Sequence, residues 1–96
     1  MSPAQVDHYF EVLKKLAIED GAVIHVGYDR PEPGWYHITL DRRDSSELVS
    51  RRVRFIKSKL EDGRDLTVIE VASKHQSIFV SPYPLLLLSY IFELDD

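Results

Sequence analysis

The absence of cysteine is the feature that most constrains this sequence. A chain of 96 residues without cysteine cannot use disulfide bonds to support a small core, so side-chain packing alone must stabilise the fold. Hydrophobic residues make up 44% of the chain, which argues against intrinsic disorder and predicts one domain over residues 1–96. The lack of cysteine also excludes thiol catalysis and cysteine-ligated zinc, and it fits a reducing compartment.

Charge and hydropathy exclude further classes of protein. The chain has 12 Lys and Arg against 16 Asp and Glu, and this net charge of -4 argues against a strongly basic nucleic-acid binder. Charged residues interrupt the first 20 positions, so they do not resemble a secretory signal and we expect the mature chain to begin at Met1. The most apolar window, Leu85–Phe92, is far shorter than the roughly 20 residues of a membrane-spanning helix.

The first half of the sequence reads as a helix followed by a hairpin. Ser2 and Pro3 are typical of a helix start, and apolar residues then recur at helical spacing up to a stop near Gly21: Val6, Phe10, Leu13 and Ala17. Residues Ala22–Tyr28 and Trp35–Leu40 have strand composition, and the proline-rich loop Asp29–Gly34 joins them.

The second half predicts another helix and another hairpin. Asp44 and Glu47 have the spacing of a capping box, and a helical stripe then stops before Gly63: Val49, Val53, Ile56 and Leu60. Leu66–Ala72 and Ser77–Val80 read as two paired strands. The last apolar segment, Leu85–Leu94, is ambiguous, because Pro84 could open a buried helix, but its length favours a central strand of a five-stranded sheet.

The second half also resembles a known family. The residues that carry the resemblance are Asp65, Leu66, Thr67, Ser73, Lys74, Ile78, Val80 and Pro82, followed by the apolar segment up to Phe92. In order and spacing they resemble the C-terminal half of the roadblock family of dynein light chains. The resemblance implies an α/β (α+β) domain of order α-β-β-α-β-β-β, with a five-stranded sheet and two helices on one face.

The same resemblance implies a function. Roadblock proteins are non-catalytic adaptors, so we expect a homodimeric light chain of cytoplasmic dynein that binds the dynein intermediate chain in microtubule-based transport. Such a protein is cytoplasmic and associated with the cytoskeleton. Because other roadblock-fold proteins regulate or scaffold small GTPases, a small GTPase is the alternative partner. No cofactor is implied.

The predicted second helix offers a candidate dimer interface. On a helical wheel Val49 and Ile56 lie on one apolar line, while Leu48 and Phe55 form a second line that would stay exposed in a monomer. In the roadblock family the equivalent helix contacts its dimer mate, and the two sheets join edge to edge. The family order implies that the strand Leu66–Ala72 lies at the sheet edge, where it would pair with the same strand of a second copy. The predicted self-association residues are therefore Leu48, Val49, Arg52, Phe55 and Ile56 of this helix and Leu66, Val68 and Glu70 of the next strand.

No residues form a recognisable catalytic or metal-binding motif. The histidines (His8, His25, His37 and His75) lack the spacing of metal ligands, and neither a nucleophile elbow nor a phosphate-binding loop is present. Seven of the basic residues fall between Arg42 and Lys59, which suggests either a solvated face, an acidic partner or a nucleic acid. Because aromatic residues are not interleaved with these charges, a nucleic acid is the least favoured partner.

Overall fold

The computed structural model describes residues 2–46 and 48–94, which form an α+β domain with two helices and five strands. Helix α1 spans Pro3–Glu19 and helix α2 spans Pro84–Glu93. The strands between them are β1 (Ala22–Tyr28), β2 (Trp35–Arg42), β3 (Leu48–Lys59), β4 (Asp65–Ala72) and β5 (Ser77–Val80). The fold class, the number of strands and the number of helices agree with the prediction, but the second helix occupies a different segment.

Helix α1 begins and ends where the sequence predicts. The Ser2 hydroxyl accepts a hydrogen bond from the Gln5 backbone N–H at 3.3 Å, and the Gln5 side-chain oxygen accepts one from the Ser2 N–H at 2.7 Å. This capping box satisfies two N–H groups that have no partner within the helix. The predicted apolar stripe is buried: Val6, Phe10, Leu13 and Ala17. Gly21, with φ +78°, turns the chain from the helix into β1.

The sheet is an antiparallel meander in which each strand pairs with its sequence neighbours, in the order β1-β2-β3-β4-β5. The strand predictions for Ala22–Tyr28, Leu66–Ala72 and Ser77–Val80 are confirmed to within one residue. β2 runs two residues beyond the predicted end at Leu40. The prediction that Leu66–Ala72 forms a sheet edge is wrong, because β4 pairs with β3 on one side and β5 on the other.

The predicted helix over residues 49–60 is wrong, because this segment is β3, the central and longest strand. Its core-facing positions alternate along the chain as Val49, Arg51, Val53 and Phe55. Arg51 at one of these positions hides the apolar alternation, so the sequence fits a helical stripe equally well. The strand ends in a hairpin turn in which Gly63, with φ +86°, donates its N–H to the Leu60 carbonyl. Glu47, half of the proposed capping box, lies outside the described residues.

The strand prediction for Leu85–Phe92 is also wrong, since these residues belong to α2. Pro84 occupies the first turn of the helix, which is where proline is tolerated. The buried side chains follow helical spacing: Leu87, Leu88, Ile91 and Leu94. If this segment were a strand, its side chains could not cover the core face of the sheet as those of α2 do.

Both helices contribute to one core on a single face of the sheet. Leu13 of α1 and Ile91 of α2 are fully buried in the same cluster as Ile38, Val53 and Ile69 of the three inner strands. α1 also packs directly on β1 and on α2. The opposite face of the sheet has no covering layer among the described residues, and it is where a functional surface can lie.

Arg51 joins the central strand to the end of α2. Its side chain is only 3% exposed, and it donates hydrogen bonds to the carbonyl oxygens of Ile91 at 3.1 Å and Leu94 at 2.9 Å. A cation is stabilising at the C-terminal end of a helix, where the unpaired carbonyls concentrate negative potential. The arginine therefore fixes α2 against the sheet.

Candidate functional site

The candidate site is the sheet face that points away from α1 and α2, here called the open face. The register aligns Trp35, Arg54, Glu70 and Phe79 in one row across β2 to β5. Their sequence neighbours, among them Val53, Ile69 and Val80, are buried in the core on the other side. Because side chains alternate between the two faces of a strand, every second residue of each strand belongs to the open face.

The structure places six of the eight predicted self-association residues on the open face: Leu48, Arg52, Ile56, Leu66, Val68 and Glu70. They share this face because β3 and β4 are strands, and not because of the predicted helix. Residues four positions apart lie on one side of a helix and also on one side of a strand, so Leu48, Arg52 and Ile56 stay together in either conformation. Leu48 is 62% exposed and Leu66 is 37% exposed.

Val49 and Phe55 lie on the opposite, core-facing side of β3. Phe55 packs in an aromatic cluster, with its ring centroid 5.3 Å from that of Tyr9, 5.8 Å from Phe10 and 6.0 Å from Tyr36. These separations and the near-perpendicular ring planes are typical of edge-to-face stacking in a protein interior. The structure therefore gives Phe55 a packing role in the core. The second apolar line that the helical wheel predicts for Leu48 and Phe55 does not exist, because these two residues lie on opposite faces of β3.

An apolar patch occupies one half of the open face. It consists of Ile56, Leu66, Val68 and Phe79. Ile56 and Val68 are direct cross-strand partners on β3 and β4, Leu66 is two positions from Val68, and Phe79 on the edge strand β5 is 63% exposed. Cross-strand aliphatic pairs pack well, but the outer surface of this patch faces solvent.

An arginine–tryptophan cluster occupies the centre of the open face. The guanidinium carbon of Arg52 lies 4.5 Å from the Trp35 ring centroid, and that of Arg54 lies 4.9 Å from the same centroid. Cation–π contacts of this kind contribute about 0.5–1 kcal/mol each at exposed sites. Trp35 therefore contacts two guanidinium groups and is only partly exposed.

Acidic side chains neutralise both arginines. Arg52 donates to the Asp29 carboxylate from Nε at 2.9 Å and contacts Glu32 Oε2 from Nη2 at 2.9 Å. Its pKa is raised because the hydrogen bonds that it donates to Glu32 and then to Asp29 favour the charged form. His37 Nε2 lies 3.6 Å from the same Asp29 carboxylate. Two carboxylates of the β1–β2 loop thus bind one arginine of β3.

Glu70 plays the corresponding part for Arg54. The Arg54 Nε donates to Glu70 Oε1 at 2.5 Å, and the Ser77 hydroxyl donates to Glu70 Oε2 at 2.6 Å. The Ser77 hydrogen bond, followed by the Arg54 guanidinium, lowers the pKa of Glu70 below its usual value. A connected polar network therefore runs from Glu32 across Trp35 to Ser77.

The basic run between Arg42 and Lys59 is largely compensated within the chain. Arg42 contacts Asp20 at 3.2 Å and Lys59 contacts Asp65 at 3.3 Å. Arg51 is buried against helix carbonyls, and Arg52 and Arg54 have the carboxylate partners already described. The run does not form one continuous cationic surface, so it gives little support to a nucleic-acid partner.

Sequence reasoning missed Trp35, Phe79 and the acidic partners Asp29 and Glu32. Trp35 could have been found from the alternation of β2, where it shares a face with His37 and Thr39. The two acids could not, because they reach Arg52 only through the path of the β1–β2 loop.

Other site types find no support within residues 2–46 and 48–94. No group of three or more His, Asp or Glu side chains there is arranged to hold a metal ion. Neither described helix is long and apolar enough to cross a membrane. The four histidines are distributed over α1, β1, β2 and the β4–β5 turn. No protein-family model, curated protein or solved structure matches the chain.

Proposed function

We propose that this chain is a non-catalytic adaptor that forms a homodimer by packing the open faces of two copies against each other. The observation that carries the proposal is the uncovered apolar patch, in which Phe79 is 63% exposed and lies diagonally across from Val68, the cross-strand partner of Ile56. A buried aromatic anchor surrounded by aliphatic residues is a common energetic centre of a protein interface.

The size of the open face is close to what a stable dimer needs. Five strands at about 4.8 Å spacing, which average about eight residues rising about 3.3 Å apiece, cover roughly 600 Å² in projection. The accessible area of such a surface exceeds its projection, and standard interfaces bury about 800 Å² per partner. The open face can therefore supply most of one side of an interface.

The charges of the open face suit a second copy of the same chain. Arg52 and Arg54 are balanced by Asp29, Glu32 and Glu70, so opposed faces do not bring two uncompensated cationic surfaces together. In a twofold dimer each patch meets the same surface of its partner, which requires a self-complementary mixture of apolar residues and both charge signs. The open face meets that requirement.

The roadblock resemblance supplies a more specific version of the proposal. It implies a cytoplasmic, cytoskeleton-associated dynein light chain that binds the dynein intermediate chain, or alternatively a regulator or scaffold of a small GTPase. The support for this version is the series of residues from Asp65 to Pro82. The position of the second helix does not add support, because this chain has β3 where the roadblock order has a helix.

Light scattering of the purified protein tests the homodimer. We expect a mass of twice 11.1 kDa, and we expect Phe79→Lys to weaken dimerisation by roughly tenfold or more. Ile18→Lys is the matched control, because Ile18 is 58% exposed but belongs to α1 on the other side of the sheet. A monomeric wild-type protein, or equal effects of the two substitutions, would contradict the proposal.

Calorimetric titration tests the partner classes on the same sample. Binding of two intermediate-chain peptides per dimer would support the dynein version. Binding of a small GTPase in place of the peptide would support the alternative, and a dimer that binds neither would leave the general adaptor without its proposed partners.

A further inference from the structure

A groove lies on the far side of the molecule from the open face, between the C-terminal half of α1 and the first turns of α2. Its volume is about 430 Å³, within the range of roughly 300–1,000 Å³ that is typical of ligand-binding clefts. Leu16 of α1 and Leu85 and Leu88 of α2 form its apolar lining. Glu19, Asp20, Arg42 and Ser89 form its polar margin.

The outer surface of α2 beside the groove is apolar. Leu85 is 64% exposed and Leu86 is 41% exposed, although Leu87 and Leu88 already supply the side chains that contact the core. A helix that is apolar on all sides is normally buried, and an amphipathic helix would have polar residues at these outer positions. The exposed leucines therefore provide contact area that the isolated chain does not use.

The margin of the groove has an excess of negative charge. Glu19 and Asp20 stand at the end of α1, and the last turn of this helix contains no basic residue. Carboxylates are unfavourable there, because the unpaired carbonyls at a helix C-terminus already carry negative potential. Arg42 compensates Asp20 at 3.2 Å, which leaves the Glu19 carboxylate as the surplus charge of the margin.

We infer that this groove binds an amphipathic helix of a partner protein, with apolar residues on the leucines and a Lys or Arg beside Glu19. The apolar lining selects a helix with residues at spacings of three and four, since these form a continuous stripe. The acidic margin selects the charge of its flanking residues. This inference gives the proposed adaptor a second surface, opposite the one that would be used for dimerisation.

Designed peptides of about 18 residues test the inference, a length at which helices form when they bind. One peptide carries a leucine stripe flanked by lysines, the second has the same composition in an order that destroys the stripe, and the third replaces lysine by glutamate. We expect the first peptide to shift the amide signals of Leu16, Leu85 and Leu88 in NMR titration. We expect it to bind roughly tenfold more tightly than either of the other two.

Two variants of the protein sharpen the test. Leu85→Lys should abolish binding of the leucine–lysine peptide, and Glu19→Lys should weaken it roughly fivefold or more while leaving the amide spectrum of the fold intact. Both residues are exposed, so neither substitution removes a core contact. Leu86→Lys, which changes a neighbouring exposed leucine outside the groove lining, serves as the matched control.

Several results would overturn the inference. They are equal binding of the scrambled peptide, amide shifts confined to the open face, unchanged binding by Glu19→Lys, and binding to anionic phospholipid vesicles in place of the peptide. Light scattering and peptide titration of the wild-type protein separate this inference from the proposed function. A dimer that binds no peptide would refute the groove alone, and a monomer that binds peptide would refute the dimer alone.

Discussion

Arg51→Met is the substitution whose effect the structure defines most closely. Arg51 is 3% exposed and stands at a core-facing position of β3 between Val49 and Val53. Its guanidinium donates to the carbonyl oxygens of Ile91 and Leu94 at the end of α2 and to that of Ser50 on its own strand. Methionine has a similar volume and a flexible, unbranched side chain that can fill much of the space, but it cannot donate a hydrogen bond.

Two opposing effects set the magnitude. A hydrogen bond from a charged donor contributes about 1.5–3 kcal/mol, so loss of the two bonds to α2 costs about 3–6 kcal/mol. Methionine avoids the desolvation of a buried cation, which offsets part of that cost. We expect the free energy of unfolding to fall by about 3 kcal/mol. For a domain of this size that corresponds to a fall in Tm of roughly 12–24 °C.

Urea unfolding followed by circular dichroism measures this loss, with Arg43→Met as the matched control. Arg43 is exposed in the β2–β3 connection, so its replacement should change the free energy of unfolding by less than about 0.5 kcal/mol. Hydrogen exchange should show that the amides of α2 lose protection before those of the sheet. A stability of Arg51→Met within about 0.5 kcal/mol of the wild type would refute the role of Arg51 as the anchor of α2.

Three further predictions follow from single side chains. Phe55→Asp should place a charge in the aromatic cluster, lower the free energy of unfolding by about 3–5 kcal/mol and remove the cooperative thermal transition; a folded monomer would instead restore Phe55 as a dimer contact. The buried Tyr9 hydroxyl has no hydrogen-bond partner among the described residues, and its burial also raises its pKa. Because Tyr9→Phe removes this unsatisfied group, the substitution should be neutral or stabilising in urea unfolding. A fall of more than about 1 kcal/mol in the free energy of unfolding would show that this hydroxyl does make a hydrogen bond. The pKa of Glu70 is lower in the folded state than in the unfolded chain, so ionised Glu70 adds to the free energy of unfolding. This stabilisation is fully present above the usual glutamate pKa of about 4.3 and is lost as the pH falls through the lowered pKa. Glu70→Gln should therefore flatten the dependence of stability on pH in that acidic range, and an unchanged slope between pH 6 and pH 3 would contradict the assignment.

The elements that the sequence predicts correctly have strong local signals. The start of α1 is set by the Ser2 capping box within one turn of chain, and its buried stripe repeats without interruption. β1 and β2 have β-branched and aromatic residues on both sides of a loop whose prolines and glycine exclude other structures. These features act between residues close in sequence, so their consequences can be derived without the fold.

The two errors have a common physical cause. β3 contains a buried arginine where its alternation requires an apolar residue, and two of the hydrogen bonds of that arginine go to the end of α2, at least 40 residues away in the chain. Conversely, α2 is so rich in leucine that its pattern does not distinguish a helix from a buried strand. Each segment takes its conformation from contacts with residues distant in sequence, so neither could be assigned from local pattern alone.

The candidate surface was partly accessible to sequence reasoning. Leu48, Arg52 and Ile56 lie on one face of β3, because a spacing of four residues keeps side chains on the same side in a helix and in a strand. Phe55 was misplaced because an odd spacing from Leu48 reverses the side in a strand. Phe79 was missed because its place in the open face depends on its register with β4, whereas the place of Trp35 follows from the alternation of β2.

By itself the sequence determined the fold class, the first helix, four of the strands and the dependence on packing, because these follow from composition, capping and short-range periodicity. Only the tertiary structure decided that residues 48–59 form the central strand and residues 84–93 the covering helix. Pairing with β2 and β4 stabilises β3, and buried contacts with the core and with Arg51 stabilise α2. The same non-local contacts place both helices on one side and so leave the open face exposed.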